Sequence, residues 1–359
     1  MRVLTLNRAR SRLNLSIEPI LEQRGVEFHH IALDDVQRPS GSKISQKLQS
    51  YFSRQAIRSI RAAVDEFRPD LVHVMAGRST ALLAVQALRS RPDIPIVLYH
   101  GAIGGLNVAS PIEWATYFNS RIAKIAVPSH ALVNNWLGRP LLGKLIGADR
   151  LSVLPHPVEV PERLDDEARA RLRAAFGLKP DDIVIGSVCS IRPVKNLEFL
   201  ARVVRDLGSP YKLLIIGGGD AGEIQALEEI GGDSIDVAGF RPGAAKLMPI
   251  FDIYATPTRP AGESFGLAPA EAMAAGVPVL TMNYGGTAEI VEHGVSGFSL
   301  TADPADWAAS IVQLQDPDVR RRMGEAARER IQQRFSPEII ADVCEELYRL
   351  VSARNAVHT

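Results

Sequence analysis

The sequence predicts an α/β protein with two domains, each built on a doubly wound parallel sheet. Short apolar runs alternate with longer amphipathic stretches along most of the chain, which is the pattern of repeated βα units. The chain has 359 residues, which is longer than a domain with a single hydrophobic core usually is, and this length suits two domains of about 150–200 residues each. We therefore expect two sheets and a cleft between the domains that carry them.

Two sets of six apolar runs predict the strands. The first set is Val3–Leu6, Val26–Ile31, Leu71–Met75, Ile96–Tyr99, Ile125–Val127 and Leu151–Leu154. The second set is Ile183–Val188, Lys212–Ile216, Ile235–Ala238, Ile253–Thr256, Val279–Met282 and Gly297–Leu300. Because strands separated by helices pair in parallel, each set predicts one Rossmann-like domain.

A proline-rich segment, residues 155–161, marks the predicted domain boundary. Its three prolines prevent a helix and stiffen an extended connector. We assign residues 1–158 to an N-terminal domain and residues 159–336 to a C-terminal domain. Apolar residues recur with helical spacing near the end of the chain, and we expect this helix, 337–353, to cross back to the N-terminal domain.

Composition indicates a globular protein without a membrane-spanning segment, with 46% hydrophobic and 23% charged residues. The first apolar run stops at Asn7, which is too early for a signal-peptide core. The longest uncharged stretch, 272–288, contains three glycines and a proline. We therefore expect a cytoplasmic protein. Cys189 and Cys344 lie far apart without Cys or His neighbours, so we expect reduced, buried thiols.

The charges are divided unevenly between the two halves. Residues 1–158 hold 20 Lys and Arg against 11 Asp and Glu, and the remainder holds 21 against 30. A basic N-terminal half favours an anionic partner such as an acidic glycan, a lipid phosphate or a membrane surface. The alternative is that these charges only solvate each domain. The basic amphipathic stretch 43–67 leaves a similar choice, between a helix on an anionic membrane and one that covers the sheet.

The most informative segment is residues 260–279, which reads PAGESFGLAPAEAMAAGVPV. It follows a predicted strand, passes through a loop rich in Gly and Pro, and opens a helix that ends at Gly276. Backbone N–H groups of residues 265–267, at the start of this helix, predict an anion site. Gly266 lets the backbone approach a ligand closely, and Glu271 can accept hydrogen bonds from a diol such as a ribose.

Glu263, Phe265, Gly266 and Glu271 are spaced as E-x-F-G-x4-E. This spacing resembles the signature of retaining glycosyltransferases of family 4, which have the GT-B fold. The likeness extends over residues 183–302. It also includes IIGGG at 215–219, VAGF at 237–240, DIY at 252–254 and NYGGTAEIV at 283–291. The resemblance implies an enzyme that takes its sugar from a nucleoside-diphosphate sugar.

The resemblance implies a role for each matching residue of the donor site. Glu271 would hold the ribose hydroxyls, and Glu263 would face the sugar ring near the reacting carbon. Backbone groups of Phe265-Gly266-Leu267 would hold the sugar and the diphosphate. The segment Gly239-Phe240-Arg241 would border the nucleobase.

A basic pair follows the first strand of the predicted C-terminal domain. Cations in this loop neutralise the diphosphate in the family, and Arg192 and Lys195 occupy the loop here. The leaving diphosphate gains charge in the transition state, so preorganised cations act as electrostatic catalysts. The sequence departs from the family at Ser190, where an Arg is more usual. We expect Arg192 to serve instead and Ser190 to border the donor.

The predicted N-terminal domain matches the family less well. Family members often begin this half with a Gly-Gly loop, whereas this chain places Arg8, Arg10 and Arg12 after its first strand. These arginines, with Arg78, would suit an anionic acceptor through bidentate recognition, or the first three belong to a surface loop. The family commonly has a His near the donor sugar. His100, at the end of a predicted strand, is therefore assigned to the active site.

The sequence implies neither a metal nor another cofactor. Asp316-Pro317-Asp318 resembles the metal-binding DxD of the other major glycosyltransferase fold. However, an Asp followed by Pro and by an Arg-rich stretch is typical of a helix start. We therefore expect a metal-independent enzyme.

The function implied by the resemblance is hexosyl transfer, with retention of anomeric configuration, to an anionic glycan or lipid-linked acceptor. The expected setting is bacterial cell-surface polysaccharide or lipopolysaccharide assembly, with contact to the inner face of the cytoplasmic membrane and no nucleic-acid partner. Ser190 and the missing Gly-Gly loop motivate one alternative, a non-catalytic nucleotide-sugar-binding subunit of a glycan-assembly complex. The presence of both Glu263 and Glu271 argues against that alternative.

Overall fold

The computed structural model describes residues 1–7, 12–33, 51–101, 106–260 and 262–356. The chain divides into two compact units, one formed by Met1–Pro157 with Pro337–Thr359 and the other by Val158–Ser336. We call them the N-terminal unit and the C-terminal unit. Each contains one six-stranded parallel sheet.

The strands of the N-terminal unit are β1 (Arg2–Asn7), β2 (Glu27–Ala32), β3 (Leu71–Val74), β4 (Ile96–Tyr99), β5 (Ile122–Val127) and β6 (Leu151–Val153). Their order in the sheet is β2-β1-β3-β4-β5-β6, with parallel neighbours throughout. Every residue of β3 and β4 is buried, because parallel sheets of this kind are covered on both faces.

The helices that precede the second unit are α1 (Arg12–Gln23), α2 (Arg54–Phe67), α3 (Arg78–Ala87), α4 (Pro111–Ala115), α5 (His130–Leu137) and α6 (Pro140–Ile146). Helix α2 begins after Ser53, whose hydroxyl accepts the Ala56 N–H. Its apolar residues Ile60 and Val64 lie in the core with the strands. This part of the basic stretch 43–67 therefore covers the sheet, while residues 43–50 lie outside the described residues.

The strands of the C-terminal unit are β7 (Ile183–Val188), β8 (Tyr211–Ile216), β9 (Ile235–Val237), β10 (Ile253–Thr256), β11 (Val279–Met282) and β12 (Gly297–Leu300). The order is β12-β11-β10-β7-β8-β9, again parallel throughout. The helices are α7 (Asp166–Ala175), α8 (Leu197–Leu207), α9 (Ala221–Gly231), α10 (Leu267–Ala274), α11 (Gly285–Ile290), α12 (Pro304–Gln313) and α13 (Pro317–Arg334).

The predicted α/β class and the two parallel sheets are confirmed. The largest difference among the strands is at β5, which begins at Ile122 instead of Ile125. Lys124 interrupts the apolar run in the sequence, yet it is buried and its ammonium donates to the Asp149 carbonyl at 2.6 Å. The predicted helix start at Asp316 is also confirmed, because its carboxylate accepts the Asp318 N–H at 2.8 Å.

The last helix, α14 (Pro337–Ala356), packs within the N-terminal unit. Its Tyr348 hydroxyl lies 2.7 Å from Nδ1 of His73 on β3. Arg24, after α1, pairs with Asp342 at 2.6 Å. Burial lowers the pKa of His73 to about 3, so this imidazole is neutral at physiological pH.

Both cysteines are free thiols. Cys344, on α14, is buried as predicted, and burial raises its pKa to about 12. Cys189 is only half-buried, which differs from the prediction, because it directly follows the half-buried last residue of β7. Within the described part of the chain, no helix combines the length and apolar composition needed to span a membrane.

Candidate active site

The sheet of the C-terminal unit changes its winding direction at β7. Strands β8 and β9 lie on one side of β7, whereas β10, β11 and β12 lie on the other. The loops that follow β7 and β10 therefore diverge at the carboxyl ends of these strands. Such a switch point forms the usual ligand crevice of open α/β sheets.

Two polar side chains, Asp252 before β10 and Tyr254 on β10, form hydrogen bonds with the two ends of β7. At their amino ends, the buried carboxylate of Asp252 accepts hydrogen bonds from the Val184 N–H (2.8 Å) and from Arg173 (2.9 Å). The β7–β10 ladder ends at Tyr254. The Tyr254 hydroxyl then donates to the Val188 carbonyl at 3.1 Å, which fixes the end of β7 where the strand enters the crevice.

The loop after β7, residues 189–196, carries Lys195. This loop contains a short 3-10 turn and ends at Asn196, whose backbone is in the left-handed region with a φ of +53°. Two hydrogen bonds join it to the loop after β10. The Arg259 N–H donates to the Val194 carbonyl at 2.8 Å, and Arg259 Nε donates to Asn196 Oδ1 at 3.2 Å. The loops on the two sides of the crevice are therefore held together.

Lys195 and Glu263 form an ion pair in this crevice. Lys195 Nζ lies 2.5 Å from Glu263 Oε2, and the two side chains are 12% and 23% exposed. The Glu263 carbonyl accepts the Gly286 N–H at 3.2 Å. A Cβ on Gly286 would lie 2.1 Å from the Ser264 carbonyl oxygen, so this approach requires glycine. The structure thus brings together a predicted cation and a predicted carboxylate from two separate loops.

Helix α10 begins shortly after this ion pair. Gly266 occupies its N-cap position with φ of +97°, and a Cβ there would lie 2.3 Å from Thr287 Cγ2. Conformation and space therefore both require glycine. The Phe265 ring is buried against Phe335, with ring centroids 5.5 Å apart. At Phe265 and Gly266 only backbone groups can reach a ligand, and Leu267 is the half-buried first residue of the helix.

Glu271 lies one turn into α10 and is half-buried. Burial raises the pKa of Tyr254, and the negative charges of Glu263 and Glu271 raise it further. Both carboxylates therefore lie within electrostatic reach of the same buried phenol. The two predicted glutamates belong to one corner of the C-terminal unit.

The loops after β8 and β9 border the carboxyl end of β7 from the other side. The Gly217 N–H donates to the Gly239 carbonyl at 3.0 Å, and a Cβ on Gly217 would lie 1.7 Å from the Cys189 carbonyl oxygen. Gly239 has a φ of +70°, and Phe240 is 74% exposed. With the exposed Arg241 beside it, this aromatic ring offers a stacking surface.

Arg192 and Ser190 lie on the loop after β7, and both are exposed. Arg192 Nε donates to Ser190 Oγ at 3.0 Å. Burial raises the pKa of Cys189, and the positive charges of Lys195 and Arg192 lower it in part. Both predicted cations therefore act on the carboxyl end of β7, although they differ in exposure.

Two predicted residues of the N-terminal unit lie at the carboxyl ends of its strands. His100 follows β4, is 6% exposed, and has its Nδ1 2.6 Å from the Tyr117 hydroxyl. Its ring packs 4.9 Å from that of Trp136. Arg78, at the start of α3, pairs with the buried Glu113 at 2.6 Å. His100 is thus enclosed by aromatic rings, and Arg78 is already paired with a carboxylate through its Nε.

The remaining acceptor-site predictions cannot be placed. Arg8 and Arg10 lie outside the described residues, and Arg12 begins α1 with a side chain that also lies outside the description. A role for these arginines stays a prediction.

Several residues that organise these regions were not predicted from the sequence. Tyr254 and Arg259 fix the ends of the crevice, and Tyr117 and Glu113 hold His100 and Arg78. The available signals were weak, since Tyr254 is an aromatic within an apolar run. Glu113 gave the clearest hint, because it follows a Pro in a short helix within an otherwise uncharged segment.

No group of three or more His, Cys, Asp or Glu side chains suited to a metal ion occurs among the described residues. The expectation of a metal-independent reaction stays a prediction.

Two family models match the chain. The model described as "Glycosyltransferase Family 4" matches residues 18–160, and the model described as "Glycosyl transferases group 1" matches residues 168–330. The first covers most of the N-terminal unit before α14, and the second covers most of the C-terminal unit.

The alignments with curated relatives cover about half of this chain. D-inositol 3-phosphate glycosyltransferase of Saccharomonospora viridis is 34% identical over 209 residues, which are 52% of this chain and 47% of the relative. N-acetyl-alpha-D-glucosaminyl L-malate synthase of Bacillus anthracis is 29% identical over 189 residues, 50% of this chain and 48% of the relative. The chain thus spans about half the length of the curated relatives it matches.

Solved structures match the whole chain in fold. A glycosyltransferase from Rickettsia africae superposes with a TM-score of 0.78 and 17% identity, covering 98% of both chains. Anabaena HepE in complex with UDP gives a TM-score of 0.73 at 19% identity, covering 97% of this chain and 99% of HepE. These likenesses show that the chain has the GT-B fold of those structures. The two family models, which together match most of the chain, show that it belongs to glycosyltransferase family 4, a family of transferase enzymes.

Proposed function

We propose that the C-terminal unit binds a nucleoside-diphosphate sugar in its crevice and that the chain transfers this sugar to an acceptor hydroxyl. The observation that carries the proposal is the Lys195–Glu263 ion pair at the switch point, followed by the glycine-capped start of α10. A cation and a helix N-terminus suit a diphosphate. A carboxylate suits the hydroxyls of a sugar. One ligand that joins both groups is a nucleotide sugar.

The remaining donor residues have proposed places along this ligand. Glu271 accepts hydrogen bonds from the ribose hydroxyls. Phe240 borders the nucleobase with Gly239 and Arg241, and its exposed ring suits stacking on a base. The HepE complex contains UDP, which supports a uridine nucleotide as the first donor to test.

The proposed reaction breaks the bond between the anomeric carbon and the diphosphate oxygen. A bond from that carbon to the acceptor oxygen forms on the same face, so the configuration is retained, and the acceptor proton passes to the departing diphosphate. Negative charge grows on the diphosphate as its bond lengthens. Lys195, Arg192 and the N–H groups at the start of α10 stabilise this charge. This positive field supports a reaction that needs no metal ion.

We propose that the N-terminal unit binds the acceptor and that the acceptor is an anionic glycan or a lipid-linked sugar. The excess of Lys and Arg over Asp and Glu in residues 1–158 supports this assignment. Arg78 keeps 39% of its side chain exposed beside Glu113 and would bind acceptor phosphate or carboxylate groups. Polysaccharide or lipopolysaccharide assembly at the cytoplasmic face of a membrane fits an acceptor of this kind.

A thermal-shift screen of UDP- and GDP-linked sugars tests the donor assignment, because a ligand that binds the folded state raises the apparent Tm. We expect at least one nucleotide sugar to raise the Tm. Transfer from that donor, followed by NMR of the product, then reads the anomeric configuration. Binding without turnover on any glycan or lipid acceptor would instead support a non-catalytic donor-binding subunit.

A further inference from the structure

We propose that Glu263 is an internal counter-ion that competes with the donor diphosphate for Lys195 and thereby promotes release of the nucleoside diphosphate after transfer. The inference rests on the proposed function. It assigns to Glu263 a second task besides contact with the sugar, namely control of how tightly the crevice holds the product.

The geometry of the donor-free crevice motivates this inference. Lys195 is 12% exposed and lies 2.5 Å from Glu263, so its charge is largely neutralised before a ligand arrives. A diphosphate must draw Lys195 away from a carboxylate that is itself only 23% exposed. Electrostatic interactions between partly buried groups are screened less than those at an open surface. The carboxylate therefore weakens diphosphate binding substantially.

The backbone on both sides keeps this competition in place. The Glu263 carbonyl is bonded to Gly286, and Lys195 follows Val194, whose carbonyl accepts the Arg259 N–H. Gly262, next to Glu263, has no room for a Cβ, which would lie 2.8 Å from Val194 Cγ2. These contacts restrain the backbone at both charged residues, so neither Lys195 nor Glu263 can move far. The ion pair is therefore expected to form again whenever the ligand leaves.

The other ionisable groups at this end of β7 do not replace Glu263. Arg192 is exposed and bonded to Ser190, and burial favours the uncharged thiol of Cys189. Burial likewise favours the uncharged phenol of Tyr254. Glu271 is a second carboxylate near this phenol, and we have assigned it to the ribose.

The sugar decides which partner Lys195 takes. With an intact donor, the sugar hydroxyls donate to Glu263 and leave Lys195 to the diphosphate. After transfer the hydroxyls have gone, and Glu263 again attracts Lys195. The intact donor is therefore held more firmly than the product, although both carry the same nucleotide and diphosphate.

Isothermal titration with UDP, and with GDP in parallel, tests the inference. Glu263→Gln removes the competing charge, so we expect it to bind the nucleoside diphosphate about tenfold more tightly than the wild-type chain, while turnover falls. Lys195→Gln provides the second arm of a double-mutant cycle. In that background, Glu263→Gln should no longer increase the affinity, because the contested cation is gone.

Glu292→Gln is the matched control, since Glu292 pairs with Arg330 at 2.7 Å in the same unit. We expect it to leave UDP and GDP affinity unchanged. Glu263→Asp provides a second variant, which keeps the charge but shortens its reach, and a smaller gain in affinity is expected. Unchanged affinity in Glu263→Gln, or a gain that persists without Lys195, would overturn the inference alone. Absence of UDP and GDP binding in every variant would overturn the proposed function as well.

Discussion

The two units place polar residues at the carboxyl ends of their parallel sheets in different ways. In the C-terminal unit, Lys195 and Glu263 are partly exposed and extend from loops joined by hydrogen bonds. In the N-terminal unit, His100 and Glu113 are almost fully buried, and aromatic rings enclose the imidazole. The first arrangement keeps a pair of opposite charges within reach of a ligand that can replace one partner. The second stabilises the unit and leaves Arg78 as its partly exposed charge.

This difference separates two tasks that one sheet architecture can support. Charges that meet a ligand need access and a fixed backbone, whereas buried polar groups need partners within the protein. The Lys195–Glu263 pair should therefore contribute mainly to ligand binding and catalysis. The Arg78–Glu113 pair should contribute more to stability.

The largest expected effect is on turnover in the C-terminal unit. Lys195→Ala should lower kcat by about 10²–10³-fold, because it removes a cation that stabilises charge in the transition state. Glu271→Ala should instead raise the donor KM with a smaller change in kcat, because a ribose contact acts equally in the ground and transition states. Steady-state kinetics with varied donor separates these outcomes. Normal kinetics in both variants would remove the crevice from the catalytic mechanism.

A second effect should distinguish the two carboxylates by stability. Glu113→Ala should lower the free energy of unfolding by about 2 kcal/mol, since it removes a buried hydrogen-bonded carboxylate and leaves Arg78 without its partner. Glu263→Ala, which removes a more exposed group, should cost about 1 kcal/mol or less. Urea denaturation measures both. Equal losses would contradict the functional division between the two pairs.

An effect of similar size on stability should appear with pH in the N-terminal unit. The folded state keeps the pKa of His73 near 3, below the ordinary value of 6.5, because the ring is buried. Between these values the unfolded chain binds a proton that the folded chain does not, so stability falls as the pH decreases. At pH 5 this loss should be roughly 2 kcal/mol. Denaturation of wild type and His73→Leu at pH 7.5 and pH 5 tests it, and an identical pH response in both would contradict the assignment.

The smallest effect is expected from chelation. If Lys195, Arg192 and the start of α10 supply the positive field, EDTA should leave the transfer rate nearly unchanged. A rate lost in EDTA and restored by magnesium or manganese would show that the crevice needs a metal ion.

The same comparison explains what the sequence could predict. The candidate site of the C-terminal unit could be predicted from the sequence because Glu263, Gly266 and Glu271 stand at fixed spacing around a loop whose backbone shape requires glycine. The roles of these residues stay predictions. The strands could be predicted because buried parallel strands form continuous apolar runs in the sequence. The ion pair between Lys195 and Glu263 could not be predicted from the sequence, since it depends on how two loops that are far apart in the chain pack together.

The N-terminal unit was less predictable for a related reason. The burial of His100 depends on Tyr117 and Trp136, which lie 17 and 36 residues further along the chain and show no motif. Lys124 likewise appeared to interrupt a strand, because its acceptor, the Asp149 carbonyl, lies on another segment. Such long-range partners leave little trace in local spacing.

We propose that the crevice between the ends of β7 and β10 holds the donor diphosphate. A crystal structure of the protein with a bound nucleotide sugar tests it most directly. We predict diphosphate oxygens within hydrogen-bond distance of Lys195 Nζ and of the first N–H groups of α10, with the ribose hydroxyls at Glu271. A nucleotide bound elsewhere, with the Lys195–Glu263 ion pair intact and without contact to the ligand, would contradict the proposed donor site.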